Sequence, residues 1–342
     1  MINYGMSIPL STEYLTQLST GSVTSLVSSA ALAPNPTLWQ HLVMLVKSSR
    51  PPGWTFGPIL YGIGAIHSGV IPKSPSALGV CVTQIATLSF PLCIVVFGVN
   101  DIYDYASDLL NPRKSATSLE GTILPPAHHG FVHTAAITSS AITLSISLLP
   151  YLYAHHTVGT WQAYSPAIST AALVALGWAY STPPFRLKEI PIVDSLSNGL
   201  IVWLSWFVGF SSCCALVGKQ WDLASIPSKG YVLGLVTASV HALGAAADIE
   251  ADIAAGQRTV ATVIGRRGCA ILGAVAYASA MTTESPASIF GAYLAGGLGI
   301  MLAVCVYPSP AWVHRAFQVI VFWTVIMAVL WFGARIKDKM SK

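Results

Sequence analysis

Charge is scarce along this chain of 342 residues: seventeen Lys and Arg and thirteen Asp and Glu make up 9% of it, against 54% hydrophobic residues and a mean hydropathy of +0.64. That shortage excludes a soluble globule of this size, which needs far more polar side chains to cover its surface. Cysteine occurs six times (Cys81, Cys93, Cys213, Cys214, Cys269, Cys305), never at the two-residue spacing of a metal motif, and reads as core filler. The first 35 residues carry one charge, Glu13, and lack a basic segment followed by a compact apolar core. They are expected to form a loose amino-terminal tail without a cleavable signal peptide. The alternating ten-residue stretches of a membrane barrel are missing too.

What the chain does have is long apolar runs rich in Ala, Leu, Gly and Val. About nine suit membrane-spanning helices, near 53–72, 77–100, 131–153, 160–180, 196–217, 230–248, 268–282, 288–307 and 313–334, the seventh of them short. The expected fold is all-α, a polytopic bundle in the lipid bilayer over residues 36–335, followed by a basic tail at 336–342. Loops after the even-numbered runs carry Arg113, Lys114, Arg186, Lys188, Arg258, Arg266, Arg267 and Arg315, whereas the odd loops carry Lys73, Lys219 and Lys229. The positive-inside tendency puts the even loops in the cytosol. Arg335, Lys337, Lys339 and Lys342 follow the ninth run and, on an odd count, would fall on the far side. The even-loop cations are therefore read as serving a ligand rather than topology.

Six of the thirteen acids stand in two short segments at the ends of apolar runs, Asn100-Asp101-Ile102-Tyr103-Asp104-Tyr105-Ala106-Ser107-Asp108 and Asp248-Ile249-Glu250-Ala251-Asp252. Carboxylates at membrane depth are costly to desolvate, so two matched groups point to bound cations. In one continuous helix Asp101, Asp104 and Asp108 follow a stripe at spacings of three and four, and Asp248 and Asp252 are four apart with Glu250 turned elsewhere. Hard oxygen donors of this kind suit Mg²⁺, which is commonly held by one or two carboxylates with water and substrate phosphate. A transporter would place its acids at mid-depth; here they gather at helix ends on one face.

These motifs resemble the UbiA superfamily of intramembrane prenyltransferases, whose signatures are N-D-x-x-D-x-x-x-D after helix 2 and D-x-x-x-D after helix 6. Further matching pieces are Ser49-Arg50-Pro51, Tyr180-Ser181-Thr182-Pro183-Pro184 leading to Arg186 and Lys188, Asp194-Ser195-Leu196-Ser197-Asn198-Gly199, and Ala255-Gly256 before Arg258-Thr259. The wording is similar to that of the lycopene-elongase branch and of fungal membrane-bound terpene cyclases. Asp104-Tyr105 stands where quinone-pathway members usually carry Asp-Arg, which counts against an aromatic acceptor.

The resemblance implies nine helices around a lipid-accessible cavity, with Mg²⁺ and diphosphate at its cytosolic mouth. It assigns Asp101, Asp104, Asp108, Asp248 and Asp252 to the metal and to catalysis, with Tyr180 beside them. Asn100, Arg50, Arg113, Lys114, Arg186, Lys188, Asn198 and Arg258 are assigned to the diphosphate of a prenyl diphosphate substrate. The expected reaction ionises that substrate, farnesyl diphosphate being favoured, and cyclises the cation; the alternative is prenyl transfer to an alkene or aromatic acceptor. Aromatic faces stabilise cationic carbon, and Trp54, Tyr61, Tyr103, Trp178, Tyr180, Trp203 and Trp206 are the candidates. His241, seven residues ahead of Asp248, is a candidate base for the final proton, whereas His128, His129, His155 and His156 read as surface residues. No nucleic-acid or protein partner is expected.

Overall fold

The computed structural model describes residues 35–109, 122–154 and 159–340, with side chains to 335, and among them it contains helices and connections and no strand. Residues 1–34 of the expected tail, Arg113, Lys114, His155, His156 and Lys342 lie outside the described residues. Residues 35–40 open the first helix, where Gln40 N–H donates to Thr37 Oγ1 at 3.3 Å and Thr37 N–H to Gln40 Oε1 at 2.7 Å, a reciprocal cap.

From residue 41 onward the chain is one compact unit. After α1 (Leu38–Ser48), Pro51–Thr55 forms a 3₁₀ turn that leads into α2 (Phe56–His67). The next rod is built from α3 (Pro75–Thr87), α4 (Phe90–Cys93), a π turn over Ile94–Gly98, α5 (Val99–Tyr103) and α6 (Tyr105–Asp108). Then come α7 (His129–Ser147), α8 (Leu149–Ala154), α9 (Thr160–Ser181) and α10 (Val193–Leu216). The last part holds α11 (Ser228–Ala247), α12 (Ile249–Ala254), α13 (Val260–Met281), α14 (Ile289–Val306) and α15 (Pro310–Met340).

Each of the nine expected spans overlaps one of these rods. Seven are long and apolar enough to cross a membrane by themselves. The two others are α2, with 12 residues, and α9, with 22. In α9 the inward face is polar, and Ser169 and Thr170 return their hydroxyl protons to the carbonyls of Ser165 and Pro166 at 2.8 Å, so the helix satisfies its own polar groups. The expected short seventh span is the 22-residue α13, whose first turn is set off by Gly265 at φ 70°, a left-handed position that glycine takes without steric cost.

α10 is the hub and packs against α2, α9 and α11. Its approach to α2 is very close. A Cβ on Gly64 would lie 2.0 Å from the Trp206 carbonyl oxygen, and one on Gly209 would lie 2.1 Å from that of Tyr61. Small residues let helices close in this way where no hydrophobic effect drives them together. Outward, the bundle exposes an apolar surface that includes Val306, Phe322 and Val329. The protein is a multi-pass integral membrane protein.

Candidate active site

Both acidic motifs sit at a joint before a short helix, and the residue at each joint is an aspartate. Asp104, between α5 and α6, has φ −101° and ψ 0°; Asp248, between α11 and α12, has φ −104° and ψ 4°. These matching joints turn Asp104, Asp108, Asp248 and Asp252 toward one polar cavity of about 490 Å³. Arg50, Asn100, Tyr180, Lys188, Asn198 and Thr259 also line it.

Desolvated carboxylates need partners. Lys188 forms a close ion pair with Asp104 Oδ1, and Asn100 Nδ2 donates to Asp104 Oδ2 at 2.6 Å. The Lys188 ammonium is buried, which pushes its pKa down to about 8. Thr259 Oγ1 donates to Asp252 Oδ2 at 3.1 Å. Asp194, buried in α10, accepts the Ser195 N–H at 2.6 Å and the Val260 N–H at 2.8 Å, which ties α10 to the residue that follows Thr259. Asn198 donates to the Asp194 carbonyl at 3.0 Å and lines the cavity.

The structure departs from the expected site at several points. Asp101 is fully buried, with Arg50 at 3.1 Å from Oδ1, and does not reach the cavity wall. The stripe argument assumed an unbroken helix, and the joint at Asp104 turns the chain between Asp101 and Asp108. Arg186 pairs with Glu189 and Arg258 is exposed; neither lines the cavity. Glu250 does face away, and Arg266 holds its carboxyl below the usual range. His128 is buried rather than on the surface, with His41 3.0 Å from it, because α7 begins against the first helix.

A second cavity, apolar and of about 430 Å³, adjoins the first. Eight residues belong to both walls: Gly53, Phe56, Val96, Phe97, Asn198, Ile201, His241 and Phe317. From that boundary the chamber runs to His67 at the end of α2, Lys229 at the start of α11 and Trp331 in α15. Along α11 it therefore runs from Lys229 to His241, about 18 Å. Of the aromatic candidates only Tyr180 lines either cavity. Trp54, Trp178 and Trp206 spend their indole N–H groups on Ser49, Ser140 and His67, Tyr61 spends its hydroxyl on Gln84, Trp203 stacks on Phe207, and Tyr103 packs in a hydrophobic cluster. The rings at the boundary are Phe56, Phe97 and Phe317, which residue type alone did not separate from core. Phe97 carried a usable signal, since it lies three residues before Asn100 on the same helical face, and Arg50 stands 4.6 Å from its centroid.

Among the described residues no three His, Cys, Asp or Glu side chains are close enough to enclose one ion. Mg²⁺ asks for less, since one or two carboxylates with water and phosphate suffice. The two aspartate pairs in one polar cavity, with two cations beside them, fit that requirement.

Sequence and structure comparisons identify what the chain is similar to. The profile of the UbiA prenyltransferase family matches residues 55–324. The chain is 29% identical over 260 residues to the lycopene elongase/hydratase of Corynebacterium glutamicum, covering 74% of this chain and 82% of the relative. It is 29% identical over 309 residues to that of Haloferax volcanii, covering 86% and 91%. With the C(50) β-cyclic carotenoids biosynthesis protein LbtBC of Dietzia sp. it shares 32% identity over 247 residues, 70% of this chain and 50% of the relative. Among solved structures, a UbiA homolog from Aeropyrum pernix superposes with a TM-score of 0.61 at 17% identity, over 85% of this chain and 98% of that one. A UbiA homolog from Archaeoglobus fulgidus bound to DMAPP and Mg²⁺ gives 0.52 at 15% identity, over 83% and 99%.

Proposed function

We propose, from the premise that this chain belongs to the UbiA prenyltransferase family, that it transfers the prenyl group of an allylic prenyl diphosphate to a carbon–carbon double bond of a long apolar polyene. The observation that carries this reading is the shared wall, where a carboxylate-lined cavity for a diphosphate meets an apolar chamber that runs about 18 Å along α11. Relatives named lycopene elongase/hydratase support the alkene acceptor.

In this reading Arg50 and Lys188 hold the diphosphate, and Asp104, Asp108, Asp248 and Asp252 hold Mg²⁺, with Asn100 orienting Asp104. Bound there, Mg²⁺ neutralises the leaving diphosphate. Phe56, Phe97 and Phe317 face the allylic carbon at the boundary, where each desolvated ring stabilises positive charge by roughly 1–2 kcal/mol without capturing it. The apolar chamber keeps water away while the alkene of the acceptor attacks. Asp101 supports the site through Arg50, and the acid-bearing helix ends face the cytosol.

The test is purified protein in lipid with Mg²⁺ and dimethylallyl, geranyl or farnesyl diphosphate, with and without a C40 polyene. A prenylated polyene should form only when both substrates are present. A cyclic hydrocarbon formed from one prenyl diphosphate alone would replace this reading with intramolecular cyclisation.

A further inference from the structure

The boundary between the two cavities holds one ionisable side chain among its eight residues, and it is an imidazole. His241 projects from α11 seven residues, about 10 Å, before Asp248, on the chamber side of the acids. Both of its ring nitrogens are engaged by hydroxyls. Tyr180 Oη lies 2.9 Å from Nε2, and Ser195 Oγ lies 3.2 Å from Nδ1. The Tyr180 and His241 rings meet edge to face at 83°, and Ser195 is buried in α10, so three helices fix the imidazole. Tyr180 itself lines the polar cavity.

A neutral imidazole has one N–H and one lone pair. With Nδ1–H donating to Ser195 Oγ, Nε2 accepts the Tyr180 O–H, and the tyrosine oxygen is presented to the cavity. We propose that Tyr180, His241 and Ser195 form the relay that removes the proton ending the reaction; this rests on the alkene-transfer reading above. When the prenyl cation adds to the acceptor, the new C–C bond leaves a tertiary carbocation. The adjacent C–H bond then breaks and its electron pair forms the new double bond. Its proton passes to the Tyr180 oxygen while the Tyr180 hydroxyl proton passes to His241 Nε2. The imidazolium is held by Ser195 and later returns the proton to water, so no oxidant or reductant enters. The position suits the task, because the aspartates sit at the polar end among cations, whereas His241 faces the place where the tertiary cation forms.

Three outcomes are built into one experiment on full-length protein in lipid with Mg²⁺, a prenyl diphosphate and a C40 polyene. His241→Gln preserves a hydrogen-bonding side chain but cannot take a proton; Tyr180→Phe keeps the ring and removes the carrier. In each variant the yield of alkene product per diphosphate released should fall about tenfold or more relative to wild type, with an alcohol from water capture in its place. Ser195→Ala should give a smaller shift of the same ratio. Wild type forming no polyene-derived product would overturn the transfer reading beneath the proposal. Wild type forming product while Tyr180→Phe, or His241→Gln judged folded by binding a non-hydrolysable prenyl diphosphate analogue, keeps the wild-type ratio would overturn the relay alone.

Discussion

Lys188 and Asp104 neutralise one another, and each must give up the other before it takes a new partner. A diphosphate that captures Lys188 frees Asp104 for a cation, and a cation on Asp104 frees Lys188. Linkage requires the two bindings to assist each other equally, typically by about 1–3 kcal/mol, or 5- to 150-fold. Lys188→Met should therefore tighten Mg²⁺ binding by itself while most of the mutual enhancement disappears, as titrations of each ligand at fixed levels of the other will show. Equal enhancement in variant and wild type would sink this exchange. At this scale the sequence spoke through residue type. Asp104 and Asp248 stood out because an acid at the end of an apolar run has few other uses, and both line the polar cavity. Asp101 falls off the cavity wall because its neighbours obey helical spacing while the backbone between them does not. Phe56 and Phe317 were invisible, since a ring beside a cation path has the same composition as a ring in a core.

Helix breaks, rather than helices, position the acids. A hydropathy pattern reports where apolar segments run, and seven described helices long and apolar enough to span follow from it; a single residue at φ near −100° leaves no hydropathy signal, so the joints at Asp104 and Asp248 did not. The crossing of α2 and α10 is the other element-level determinant, for it lays Gly64 against the Trp206 backbone and Gly209 against the Tyr61 backbone. Because backbone cannot swing aside as a side chain can, Gly209→Ala should lower stability by about 1–3 kcal/mol, seen as a lower unfolding midpoint in detergent. Gly299→Ala, on α14 with open space around it, is the control. Identical midpoints for the two variants would mean that the crossing relaxes freely.

The molecule is unevenly enclosed. Of the 18-residue apolar windows, that of α10 is 78% buried, whereas that of α15 is only 17% buried. Yet α15 supplies Phe317, Val321, Thr324, Val325, Ala328 and Trp331 to the chamber. One wall of the chamber is thus a single helix with hydrocarbon on its other side. A polyene reaching the site by that side never passes through water, so its effective concentration is a mole fraction of the membrane and not a molarity. Adding inert phospholipid at fixed amounts of enzyme and polyene should slow product formation in proportion to the dilution, with no change in the aqueous concentration of anything. A rate indifferent to added lipid would mean delivery from solution. For such a catalyst the bilayer is the reaction vessel, and the volume of that vessel, not of the water around it, sets how often the site is filled.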